Sequence, residues 1–165
     1  MRKISLLLLS LVCCSFLAMA NVMLPRIFGS NMVLQRNQAI PVWGWADPGE
    51  RVTVQFNGQT VKTKAGKDGA WRLDLKQEIA GGPYQLIVKG KNTITLDNVL
   101  VGEVWICSGQ SNMEWPVKNS DSAQIEIKAS DYPLIRQIKV PRTIAGEPAQ
   151  DFPTGEWKAS NPDNT

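Results

Sequence analysis

From Met32 to Leu96 apolar and polar residues alternate in short runs, and each run ends at a turn signal. "RVTVQF" puts Val52, Val54 and Phe56 on one face of a strand, and "AWRLDL" does the same with Trp71, Leu73 and Leu75. A period of two is strand geometry, because successive side chains point to opposite faces. Asn57-Gly58, between "RVTVQF" and "QTVKTKA", is a hairpin signal, since both residues tolerate positive φ. "DPGE" at 47–50, "KDG" at 67–69 and "AGGP" at 80–83 mark further breaks, and "YQLIVK" and "TITLD" supply two more strands. The spacing predicts an all-β, sandwich-like domain over residues 21–98.

The texture changes near Val99. "NVLVGEVWIC" is nearly continuous in apolar residues, the pattern of a strand covered on both faces in a parallel sheet. "NSDSAQIEIKAS" predicts a helix capped by Ser120 or Asp121, and "LIRQIKV" predicts a following strand. Strand, helix and strand in that order predict an α/β unit over residues 99–165. A doubly wound domain takes about 100 residues or more, so this unit is expected to be incomplete. Pro141–Thr165, rich in Pro, Gly and polar residues, predicts loop.

The stretch "CSGQSNMEWP" follows the apolar run and carries the candidate chemistry. Ser111 lies two residues past Gly109, at the mouth of the expected strand. One reading is a nucleophile raised above the carboxyl end of a sheet, with following backbone amides turned toward an oxyanion. The other is a helix cap, because Ser111 and Glu114 have capping-box spacing. Pro116 disfavours a helix long enough to need that cap. The motif departs from the G-x-S-x-G elbow at Met113. Composition then alters what a nucleophile would mean: the chain has no histidine, the usual base for a serine. Glu114 and Asp121 are the first carboxylates to examine as substitutes.

Trp43, Trp45 and Trp71 suit either the core or a platform that stacks on the apolar face of a sugar, and core packing is the expectation. Cys107, in its apolar context, reads as a small buried hydrophobe. The formal charge is +3 and falls to +1 without Arg2 and Lys3. No basic stripe with interleaved aromatics appears, which excludes nucleic acid as an expected partner. "MRKISLLLLSLVCCSFLAMA" has a short positive start, an apolar run and the small-x-small pattern Ala18-Met19-Ala20. This predicts a signal peptide over residues 1–20, export to the periplasm or beyond, and no membrane attachment after cleavage. Cys13 and Cys14 lack the small residues that precede a lipidated cysteine. Cys107 is then the one cysteine of the mature chain, so no internal disulfide is expected.

"VGEVWICSGQSNMEWPV" closely resembles the nucleophile block of the sialate O-acetylesterase family, within the SGNH hydrolase superfamily. "LPRIFGSNMVLQR", "VWGWADPGERVTV", "DGAWRLDL", "AGGPYQLIV" and "YPLIRQIKVPR" resemble that family's landmarks in the same order, so the likeness covers essentially residues 22–165. The resemblance implies a β-rich region followed by the start of an SGNH-type α/β hydrolase domain. It implies that Ser111 is the nucleophile and supplies one oxyanion donor from its backbone N–H, with Gly109, Gln110 and Asn112 shaping the loop. The implied reaction removes O-acetyl groups from sugars, typically sialic acid, with no metal and no organic cofactor. In such enzymes the remaining oxyanion donors and the base histidine with its aspartate come from later blocks. None of these can be assigned here, so the chain is expected to be an N-terminal fragment that is inactive alone. Two other readings stay open: a secreted β-sandwich that binds glycans or proteins, and a split enzyme whose histidine comes from a second chain.

Overall fold

The structure, a computed structural model, describes residues 21–165. The expected signal peptide at 1–20 lies outside the described residues. Seven strands arise from the alternating region: β1 (Val33–Gln35), β2 (Ile40–Trp45), β3 (Arg51–Phe56), β4 (Gln59–Lys64), β5 (Ala70–Leu75), β6 (Gly81–Lys89) and β7 (Thr93–Gly102). Five of them form a curled, mixed half-barrel sheet in the order β1-β7-β6-β3-β4, and β2 pairs with β5 as an antiparallel ribbon. β1 runs parallel to β7, with Val33 opposite Leu100, and the other pairs of the sheet are antiparallel.

The sheet and the ribbon share one core. The period-two residues fill it: Val52, Val54 and Phe56 from β3, Trp71, Leu73 and Leu75 from β5, and Ile40 and Val42 from β2, with Leu86 and Val88 from β6. Each such side chain contributes about 1.5–3 kcal/mol on burial. The Asn57-Gly58 turn forms as its sequence predicts, with φ of 41° and 76°, and it sets Phe56 opposite Gln59. Gly44 has a different reason to be glycine. Met23 bridges to Trp45 by two backbone bonds, of 2.7 and 3.0 Å, and a Cβ at Gly44 would overlap the Met23 carbonyl.

The all-β expectation holds in its coarse form, but the sandwich is a half-barrel. Alternation fixes which face of a strand is buried, whereas curl is set by pairing. Here β6 and β7 slip register between Gly81 and Leu86, and such irregularities bend a sheet. Two breaks are also displaced. Gly81–Pro83 lie inside β6, and the break expected after Asn98 falls inside β7. Val99, Leu100 and Val101 are buried because they continue β7 into the β core. They do not begin a second sheet.

No strand-helix-strand unit with parallel strands forms among the described residues. α1 (Ala123–Lys128) is only six residues long and buries none of them. Its cap position is Ser122, with no side-chain cap bond, so neither Ser120 nor Asp121 caps it. β8 (Tyr132–Gln137) pairs antiparallel with β9 (Lys158–Ser160), a strand inside the region expected to be loop.

Candidate active site

The chain leaves β7 through a polar clamp. Gln35 donates from Nε2 to one Glu103 oxygen at 3.0 Å, and Arg36 donates from Nε to the other at 2.6 Å. Gln35 in turn accepts the Val104 N–H at 2.8 Å. This fixes the direction in which the next segment departs. The hydrogen bond from Gln35, and then that from Arg36, hold the Glu103 carboxyl below its ordinary value of 4.5. The native state therefore favours the ionised carboxylate. The resulting stability is present above the unfolded-state value and is lost as pH falls through the lower native one. Thermal unfolding of Glu103→Gln against the unchanged chain is expected to show a deficit at neutral pH that vanishes well below pH 4.5. A deficit that persists in acid would place the effect elsewhere.

Val104–Gln110 are exposed and irregular. Trp105 and Ile106 are 82% and 93% exposed, so this half of the apolar run is not the doubly covered strand its composition predicts. Cys107 is a free, exposed thiol, again unlike the buried residue expected. It lies past the run's buried half, which ends in β7.

Ser111 opens a single 3-10 turn, Ser111–Glu114. Gln110 holds the cap position, and its carbonyl accepts the Met113 N–H at 2.9 Å. The first amides of a helical turn have no partner within it, and none of the described residues offers a backbone acceptor to Ser111 or Asn112. The capping-box reading fails on geometry. The turn carries no side-chain cap bond, and Glu114 extends outward to pair with Arg142. Pro116 ends the turn as its chemistry requires, and a second short turn, Val117–Asn119, follows. Gly109, Gln110, Ser111 and Asn112 are thus brought together on one exposed turn. A Cβ on Gly109 would lie 2.9 Å from Met113 Cγ, so any side chain there displaces Met113.

Among the described residues no hydrogen bond joins the Ser111 hydroxyl to a candidate base. The sequence has no histidine, Glu114 is committed to Arg142, and Asp121 accepts the backbone N–H of Ser122 at 3.1 Å.

Several ties that sequence reasoning missed hold residues 130–160 against the β domain. Arg136 donates from Nη1 to Asn31 Oδ1 at 3.3 Å and from Nη2 to Asn98 Oδ1 at 3.4 Å, while its Nε reaches the Pro133 carbonyl at 2.6 Å. Both asparagines sit in the left-handed region, with φ of 69° and 57°. Partial burial lowers the Arg136 pKa from its ordinary value. Trp157 donates its indole N–H to the Ile27 carbonyl at 2.8 Å, and Asp151 accepts the Arg26 N–H at 3.1 Å on each oxygen. A lone tryptophan in a polar tail was the one visible signal for these contacts.

The tryptophan trio divides. Trp71 points into the core, with its indole N–H buried and without a partner among the described residues. Trp43 and Trp45 lie on the opposite, outward face of the ribbon, and Trp43 is 37% exposed. Core packing therefore accounts for Trp71 alone.

The fold and the sequence place this chain among the homologues of carbohydrate acetylesterases. The solved structure of a carbohydrate acetylesterase from Xanthomonas citri matches it with a TM-score of 0.84 and 39% identity, over 87% of this chain and 33% of that one. More particularly, the chain is a homologue of the sialate O-acetylesterases. Those of Pongo abelii and Homo sapiens are each 31% identical to it over 147 residues, 81% of this chain. The chain spans 28% of the length of these two relatives. No protein-family model matches the sequence.

Proposed function

We propose that residues 21–165 carry the serine nucleophile of an exported esterase that removes O-acetyl groups from sugars, of the sialic acid type. The observation that carries the reading is Ser111: an exposed serine at the head of a turn whose leading amides have no partner among the described residues, in a chain homologous to acetylesterases. In this reading the residues after β7, 103–165, contribute to an SGNH-type α/β hydrolase domain, and residues 21–102 support it.

The steps follow from the residues. Ser111 Oγ attacks the acetyl carbonyl carbon while a base takes its proton. The carbonyl oxygen becomes an oxyanion, and the Ser111 backbone N–H donates to it. Collapse expels the sugar oxygen, which takes the proton back, and leaves acetyl-serine. Water, giving its proton to the same base, then attacks that ester; the bond to Ser111 Oγ breaks, Oγ takes the proton back, and acetate is released. Gly109, Gln110 and Asn112 shape the turn.

The base, the other oxyanion donors and the cover for Trp105, Ile106, Leu134 and Ile135 come in this reading from outside residues 21–165. Those four side chains are each more than half exposed, and their exposure supports the need for such a cover. A serine without a base stays protonated and is a poor nucleophile. General base catalysis alone contributes about 10²–10⁴-fold. Aryl acetate hydrolysis by the 21–165 chain is accordingly expected to equal that of its Ser111→Ala variant. Turnover that depends on Ser111 would overturn the claim of an external base and direct attention to Glu114 or Asp121.

A further inference from the structure

A cleft of about 670 Å³ opens between the outward face of the β2–β5 ribbon and the loop of residues 140–153. Trp43 lies in it, beside Pro25 and Ile27. The Trp43 ring is held by Phe28, edge to face, with centroids 4.7 Å apart and planes at 74°. Phe28 is buried in the core, so the indole is pre-set by the fold and needs no ordering on contact with a ligand.

The loop brings the polar groups. Thr143, Glu147, Gln150 and Asp151 line the cleft. Asp151 is spent on loop anchorage, since its oxygens accept the N–H groups of Arg26 and Phe152. Glu147 forms no ion pair with any described residue. Its carboxylate and the Gln150 amide and Thr143 hydroxyl remain to accept and donate. The recess is open, mostly apolar and bordered by these few polar side chains, a form that suits a ligand lying along it more than one enclosed by it.

We propose that this cleft is a saccharide subsite for neutral pyranose units. The apolar face of a pyranose matches a fixed, half-exposed indole, and its hydroxyls match the carboxylate, amide and hydroxyl of the loop. The unpaired Glu147 charge repels an anionic sugar, so the occupant is a neutral part of a glycan and not sialic acid itself. The site also has a connection to Ser111. Pro141 and Thr143 both line the cleft, and Arg142 between them pairs with Glu114 of the Ser111 turn. The loop that holds the glycan is thereby tied to the turn that carries the proposed nucleophile.

The test is calorimetric titration of the 21–165 chain with xylotetraose, cellotetraose and sialyllactose. At least one neutral tetrasaccharide is expected to bind saturably, at about millimolar affinity, and more tightly than sialyllactose. Trp43→Ala is expected to weaken that binding tenfold or more, and Trp105→Ala to leave it unchanged. Because Trp43→Ala also removes the ring that packs on Phe28, a Thr143→Ala/Gln150→Ala double variant is titrated beside it, and a several-fold loss is expected. Absence of saturable binding of either neutral sugar, tighter binding of sialyllactose, or undiminished binding in the double variant would overturn the proposal. None of these outcomes depends on esterase activity.

Discussion

Alanine at Phe56 is expected to lower the unfolding free energy of the 21–165 chain by about 3–5 kcal/mol. Phe56 closes β3 at the Asn57-Gly58 turn and is 1% exposed. Its ring meets Tyr84 edge to face at 5.5 Å, across the β3–β6 pairing that joins the hairpin to the long strands. Removing it deletes apolar burial and opens a cavity that strands pinned by hydrogen bonds can only partly fill. A domain of this size is stable by roughly 5–15 kcal/mol, so the loss is a large fraction of the whole. Urea unfolding followed by circular dichroism is the measurement, with a lower midpoint and an unchanged slope expected. A loss below about 1 kcal/mol would show that the site closes without cost, contrary to the packing described.

The second large effect concerns Ser111. In the proposed reading, a chimera in which residues 21–165 replace the matching third of the Xanthomonas citri acetylesterase would gain a base and a cover for the exposed apolar residues from the rest of that protein. Ser111→Ala in that chimera is expected to reduce acetyl release by at least about 10⁴-fold, the scale on which a covalent nucleophile acts with its base. The expected loss falls in kcat, because the hydroxyl forms its bond in the transition state and adds little to ground-state binding. Gln110→Ala is expected to cost far less, since that side chain makes no cap bond and shapes the turn only indirectly. Equal losses at both positions would assign the effect to the turn as a whole.

The β core was legible where burial is periodic. Val52, Val54 and Phe56 announced one face of β3, and Asn57-Gly58 announced the turn that follows. The Ser111 turn was legible through Pro116, which stops the helix before a cap can matter. Pairing was not legible. Val99–Val101 and Val104–Ile106 are equally apolar, yet the first three complete β7 beside β1 and the last three face outward. Composition cannot distinguish a residue with a neighbouring strand from one without. The ties from Trp157 to Ile27 and from Asp151 to Arg26 span 130 and 125 residues, beyond the reach of any local pattern. Alternation already set Trp71 on the apolar face with Leu73 and Leu75, whereas the outward turn of Trp43 shows only in the ribbon, where it stands opposite Arg72.

In the proposed mechanism Ser111 becomes acetylated during turnover. The most direct measurement is mass spectrometry of the chimera, acid-quenched during hydrolysis of an aryl acetate and digested to peptides. One added acetyl group is expected on the peptide that carries Ser111, located on that residue by fragmentation and absent from Ser111→Ala. A folded, active chimera with Ser111 unmodified and acetyl on another residue, or a folded chimera that releases no acetate, would contradict it.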